Sequence, residues 1–119
     1  MNGISTYQEH SVMTEGKGRL IVLLYEGAIK FMKLAIKDLE ARNYDNKGKN
    51  INRALDIINE LNVVLDTEAG GEIALNLRKL YVFMIRRLNE ANVKCDPQMI
   101  REVIGLMEEL NQGWTAIAR

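Results

Sequence analysis

The chain has 119 residues, with sixteen basic side chains balanced by sixteen acidic ones and a single cysteine. That length suits one domain with its own core. The charge balance leaves no basic excess or stripe for nucleic acid, and Cys95 alone excludes an internal disulfide framework. The longest apolar run, Leu20 to Tyr25, falls far short of the ~18 residues of a membrane span, and the start MNGISTYQEH lacks the layout of a signal peptide. The expectation is a soluble cytoplasmic protein with no membrane insertion and no nucleic-acid partner. Zero net charge gives little repulsion between copies, so self-association is compatible with the composition.

Residues 1–16 are polar with isolated Ile4, Tyr7, Val12 and Met13, and read as a flexible N-terminal arm or short docking helix. Residues 17–119 read as an all-α, antiparallel up-down four-helix bundle, with helices over about 18–42, 47–65, 72–92 and 97–118.

The first helix holds the run LIVLLYEGAIKFMKLAIKDL. At 100° per residue, Leu20, Leu24, Ala28, Phe31, Leu34 and Ala35 align as a core stripe, while Val22, Tyr25, Ile29 and Ile36 fall on its far shoulder. The charged Glu26, Lys30, Lys33 and Lys37 share one narrow sector. The apolar arc is roughly 240° wide, where a core-facing helix needs little more than about 100°. Such a helix is central in its domain or keeps a face for a partner. Asn43-Tyr44-Asp45-Asn46 ends it and offers caps for the second helix, whose stripe is Ile51, Ala54, Leu55, Ile58, Leu61 and Leu65, with Ile57 and Val64 on a shoulder. Asp66 to Gly71 reads as a turn. The third helix aligns Ile73, Leu77, Leu80, Met84, Leu88 and Ala91, leaving Leu75 and Val82 across from this seam and Ile85 beside them. Asp96-Pro97 is a helix start, an N-cap aspartate followed by proline at the first position. The fourth helix aligns Ile100, Val103, Met107, Leu110, Trp114 and Ile117.

Nothing here assembles a catalytic or metal centre, and no cofactor is expected. A di-iron bundle needs histidines on facing helices, and the one histidine, His10, lies in the arm. Zinc is poorly served by one Cys and one His far apart. Cys95 reads as an incidental loop residue, and Glu15-Gly16-Lys17-Gly18-Arg19 lacks the spacing of a phosphate loop. The recurrent off-seam apolar residues instead suggest a groove for an apolar partner segment, built by the first and third helices and covered by the arm when empty.

An ordered set of short motifs carries a family likeness. It comprises Tyr7-Gln8, Ser11-Val12, Gly18 to Ile21, Leu23 to Ala28, Ala54 to Leu61, Leu65-Asp66, Gly70 to Ala74, Asn76-Leu77, Leu80-Tyr81, Arg86 to Leu88, Glu90 to Asn92 and Trp114. Together they resemble the flagellin export chaperones of the FliS family over nearly the whole chain. One departure is the absence of a Ser/Thr-Pro pair before the first helix, where Thr14-Glu15-Gly16-Lys17-Gly18 stands instead, which implies a more flexible start. The resemblance implies a non-enzymatic cytoplasmic chaperone that binds the disordered C-terminal segment of flagellin, prevents premature polymerisation and brings flagellin to an export gate component. It also implies contacts of some members with flagellar regulatory proteins. Tyr25, Ile29, Ile57, Val64, Leu75, Val82 and Ile85 are the expected client contacts, with Tyr7 as an arm anchor that competes for the same surface. Asn62, Asn76 and Asn92 are the candidate polar anchors. The second reading is a self-associating structural bundle or adaptor, in which the spare apolar face makes a homodimer without client.

Overall fold

Four helices, α1 (Glu15–Glu40), α2 (Tyr44–Val63), α3 (Thr67–Lys94) and α4 (Pro97–Ala118), follow one another with links of two or three residues. The structure is a computed structural model and describes residues 15–118. The arm, with Tyr7 and His10, lies outside the described residues. Short links force each helix to run back beside the last. Thus α1 packs on α2 and α4, α3 packs on the same two, and α1 and α3 face each other across the diagonal. The expected four-helix bundle is the fold observed.

Local chemistry explains each boundary. The carboxamide of Asn43 accepts from the Asn46 N–H at 3.2 Å, so α2 starts at Tyr44, three residues before the expected start. The Asp66 carboxylate accepts from the Glu68 and Ala69 N–H groups at 3.1 and 3.0 Å, so α3 starts at Thr67 rather than Glu72. Gly70 and Gly71 therefore lie inside α3 rather than in a turn. The helix kinks at Gly71 (φ 57, ψ −133), a backbone combination open to glycine and hardly to other residues. Asp96 accepts from the Gln98 N–H at 2.9 Å with Pro97 at the first helical position, as expected. The end of α1 is closed by Arg42 in the left-handed region (φ 58), with the Asn43 N–H reaching Asp38 O at 2.8 Å and the Arg42 N–H reaching Leu39 O at 3.1 Å. Gly16 and Gly18, expected before or at the helix start, are part of α1.

The core stripes of α2 and α4 largely match expectation. The stripe of α1 does not. Its buried residues are Gly18, Tyr25 and Met32, then Ala28 and Ala35, then Ile29 and Ile36, with Ile21, Val22 and Leu39 partly buried around them. This set is rotated by about a quarter turn from the expected one. Leu20 and Leu34, expected in the core, are exposed, and Leu24 and Phe31 are only partly buried. The apolar arc is wide enough to hold either stripe, and contact with two neighbours selects one. Gly27 lets α2 come close: a Cβ there would stand 3.3 Å from the Ile57 methyl.

Candidate binding surface

The chain direction gathers four helix termini at one end of the bundle: the start of α1, the end of α2, the start of α3 and the end of α4. Most of the exposed large apolar side chains lie toward this end: Leu20, Leu23, Val63, Val64, Ile73, Leu75 and Ile117, with Val82 and Phe83 at mid-height on α3. Ile73 at 74 % and Ile117 at 60 % exposure correct the expectation that they sit in the core. The buried stripe of α3 runs Ala74, Leu77, Tyr81, Met84, Leu88 and Ala91, so Ala74 rather than Ile73 takes the core position in that turn. Ile117 lies in the last turn of α4, on a side that no neighbouring helix covers.

Of the expected contacts, Val64, Leu75 and Val82 are exposed, and Ile57 and Ile85 are partly buried. Tyr25 and Ile29 are a correction: they are 0 % and 9 % exposed and form part of the core, as does Ile36. Nor do α1 and α3 form a groove, because they oppose each other across the diagonal. Ile57 and Val64 flank the α1 side of α2, while Leu75, Val82 and Ile85 flank its other side. Leu20, Leu23, Ile73 and Phe83 were missed as surface residues. For Leu20 and Leu23 the available signal was the unused part of the α1 arc.

Tyr25 is buried because its hydroxyl has a partner. It lies 2.6 Å from the Tyr81 hydroxyl across the diagonal, with ring centroids 6.5 Å apart and edge-to-face. Trp114 leans on Tyr25 at 6.2 Å. Two tyrosines can thus bury their rings, each hydroxyl offsetting the desolvation of the other. Burial pushes both phenols above their ordinary value of 10.0. For Tyr25 the bond to Tyr81 works against that shift, and for Tyr81 the charge of an ionised Tyr25 adds to it. The folded state therefore holds these protons more tightly than the unfolded chain. Their contribution to stability is complete below about pH 10 and is lost as pH rises above it. Urea midpoints at about pH 9 and about pH 11 are expected to differ more in the native chain than in Tyr25→Phe/Tyr81→Phe.

Two of the three candidate polar anchors serve the bundle itself. Asn62 accepts from Arg78 Nε at 3.3 Å and ties α2 to α3. Asn92 receives the buried Lys47 ammonium on its side-chain oxygen at 2.7 Å and on its carbonyl at 2.9 Å, which closes the C-terminal turn of α3. Asn76 is exposed on α3. Lys47 is 6 % exposed, and its charge lies at the negative end of the α3 dipole. Lys47→Ala is expected to lower the unfolding free energy by about 2 kcal/mol, the loss of charge-assisted bonds to a helix end. Thermal denaturation followed by circular dichroism checks it.

Ion pairs elsewhere join neighbouring helices at the surface, Lys33–Glu108 at 3.3 Å and Arg87–Glu102 at 3.0 Å. A shallow groove of about 1010 Å³ runs between α1 and α4, lined by Ile29, Leu34 and Ala116 together with the charged Glu26, Lys30, Lys33, Lys37 and Glu108. Cys95 is exposed at the left-handed C-cap of α3. No three His, Cys, Asp or Glu residues come together to hold a metal among the described residues, and no described helix is long and apolar enough to cross a membrane.

All of residues 1–119 match the family described as Flagellar protein FliS. The chain belongs to the FliS family. It is 40 % identical to the flagellar secretion chaperone FliS of Salmonella typhimurium over 122 aligned positions, covering 98 % of this chain and 90 % of that one. It is 35 % identical to the Bacillus subtilis protein of the same name, covering 95 % and 84 % of the two chains. It is 37 % identical to the flagellar secretion chaperone FliSB of Pseudomonas aeruginosa, covering 99 % and 97 %.

Proposed function

We propose that this FliS-family protein is a cytoplasmic flagellar secretion chaperone that holds the disordered C-terminal segment of flagellin, keeps it from polymerising too early and delivers it to the export apparatus. The observation that carries the reading is the band of exposed apolar side chains running from Leu20 and Leu23 past Val64 to Leu75 and Val82, on a chain of this family. A disordered client gives up chain entropy when it orders, at a cost of about 2–5 kcal/mol or more, and offsets it by burying a long apolar contact rather than filling one pocket. A band crossing three helices suits that requirement. Binding energy is then the whole activity, and the protein acts without catalysis. Val64, Leu75 and Val82 contact the client directly, Ile57 and Ile85 form the floor between them, and Asn76 supplies a polar anchor. Tyr7, in the N-terminal arm, competes with the client for the band. The export gate component and flagellar regulatory proteins are further partners of the loaded chaperone.

Titration calorimetry with a C-terminal flagellin segment, paired with hydrogen exchange on both molecules, tests the reading. The expected result is a stoichiometric complex, a negative heat-capacity change, and new protection at the end of α2 and along α3 from Leu75 to Ile85. Absence of binding, or protection confined to the opposite end of the bundle, would overturn it.

A further inference from the structure

The charge on the outer side of α3 is not spread as it is over the whole chain. Between Ile73 and Asn89 the helix carries Arg78, Lys79, Arg86 and Arg87 and no carboxylate. Arg87 is committed to Glu102 and Glu90. Arg78 bonds only the neutral Asn62, and Lys79 and Arg86 are exposed without an ion pair among the described residues. These cations are interleaved with apolar residues. Leu75, Lys79, Val82, Arg86 and Val93 follow at spacings of three, four or seven, with Arg78 beside them, and so stand above one another on one face. Leu75, Val82 and Val93 are 51, 41 and 85 % exposed. From Leu75 to Val93 the stripe is about 27 Å long at 1.5 Å per residue.

We infer that this face of α3 docks an acidic amphipathic helix of a protein partner, its apolar stripe on Leu75 and Val82 and its carboxylates over Arg78, Lys79 and Arg86. The inference rests on the proposed function in taking the partner to be a protein. Leu75 and Val82 are seven residues apart, the heptad spacing at which a partner helix repeats its own apolar positions. Charge decides among occupants. A second copy laid antiparallel on this face would set Lys79 against Arg86, cation on cation, which disfavours pairing. Carboxylates flanking an apolar stripe meet the unpaired cations and leave Leu75 and Val82 to be covered.

The test uses the full chain and two labelled helical peptides of about 18 residues, long enough to span the stripe. Both carry the same leucines at heptad spacing, flanked in one by glutamates and in the other by lysines. Fluorescence polarisation is expected to show the glutamate peptide bound at least about tenfold more tightly, with the margin shrinking as salt rises. Lys79→Glu/Arg86→Glu is expected to reverse the order, and Lys79→Gln/Arg86→Gln to erase it without adding repulsive charge, both with unchanged helical melting. Equal affinity for the two peptides, binding of neither, an order unmoved by both variants, or binding of a single-stranded oligonucleotide in place of the peptides would each overturn the inference. Flagellin is absent from this experiment, so its failure leaves the flagellin reading intact, and failure of flagellin to bind would leave this result standing.

Discussion

Tyr25→Ala is expected to lower the unfolding free energy by about 4 kcal/mol, the usual cost of removing a buried aromatic side chain. In a bundle of this size that lowers the melting temperature by more than about 10 °C. The ring is inaccessible, its hydroxyl is 2.6 Å from that of Tyr81, and Trp114 rests on it. Tyr25→Phe keeps the ring but strands the Tyr81 hydroxyl in the core, at about 1–2 kcal/mol. Tyr25→Phe/Tyr81→Phe is expected to cost less than the sum of the two single changes, because neither hydroxyl is then left without a partner. Chemical denaturation of the four variants measures all of this. The same series separates a core residue from a client contact: if Tyr25→Ala melted like the native chain and lost only client binding, the assignment of Tyr25 to the core would fail.

Leu75→Asp/Val82→Asp is expected to do the opposite. Both side chains are about half exposed on α3, so the bundle should retain its stability within about 0.5 kcal/mol per site. Client binding should suffer severely. Covering the exposed half of two aliphatic side chains contributes about 1.5–3 kcal/mol, and about 1.4 kcal/mol corresponds to tenfold in affinity, so a C-terminal flagellin segment should bind about one to two orders of magnitude more weakly. Calorimetry at equal protein concentration reads the loss, and circular dichroism confirms the fold. Undiminished binding by the folded double variant would remove α3 from the client surface. The charge reversals at Lys79 and Arg86 probe a different feature of the same helix, its preference among partners rather than its apolar contact.

The two results bear on what can be read from the chain alone. Leu75 and Val82 stand out in the linear sequence because α3 has a narrow core stripe, and residues opposite a narrow stripe point outward whatever the neighbours are. Val64 falls on a shoulder of the α2 stripe, and the structure leaves it exposed. Tyr25 and Ile29 could not be placed this way. On α1 nearly every direction except the charged sector is apolar, so amphipathicity marks only where the core is not. Ile73 was misplaced because neighbouring Ile73 and Ala74 are both apolar, and the packed bundle buries the small Ala74 and leaves Ile73 outside.

Helix number, antiparallel order, the Asp96-Pro97 start of α4 and membership of the FliS family all follow from the chain itself. They depend on periodicity, capping residues, link length and motif order, which are local or additive properties of residues. The orientation of α1 about its own axis was decided only in the folded bundle. There the close approach over Gly27, the small Ala28 and Ala35, and the Tyr25–Tyr81 hydroxyl pair each need an atom from another helix. The same packing turns Asn62 and Asn92 inward to Arg78 and Lys47 and leaves Leu20 and Leu23 on the surface. A helix with a wide apolar arc leaves its rotation open, and its neighbours close the choice by burying the residues that find partners.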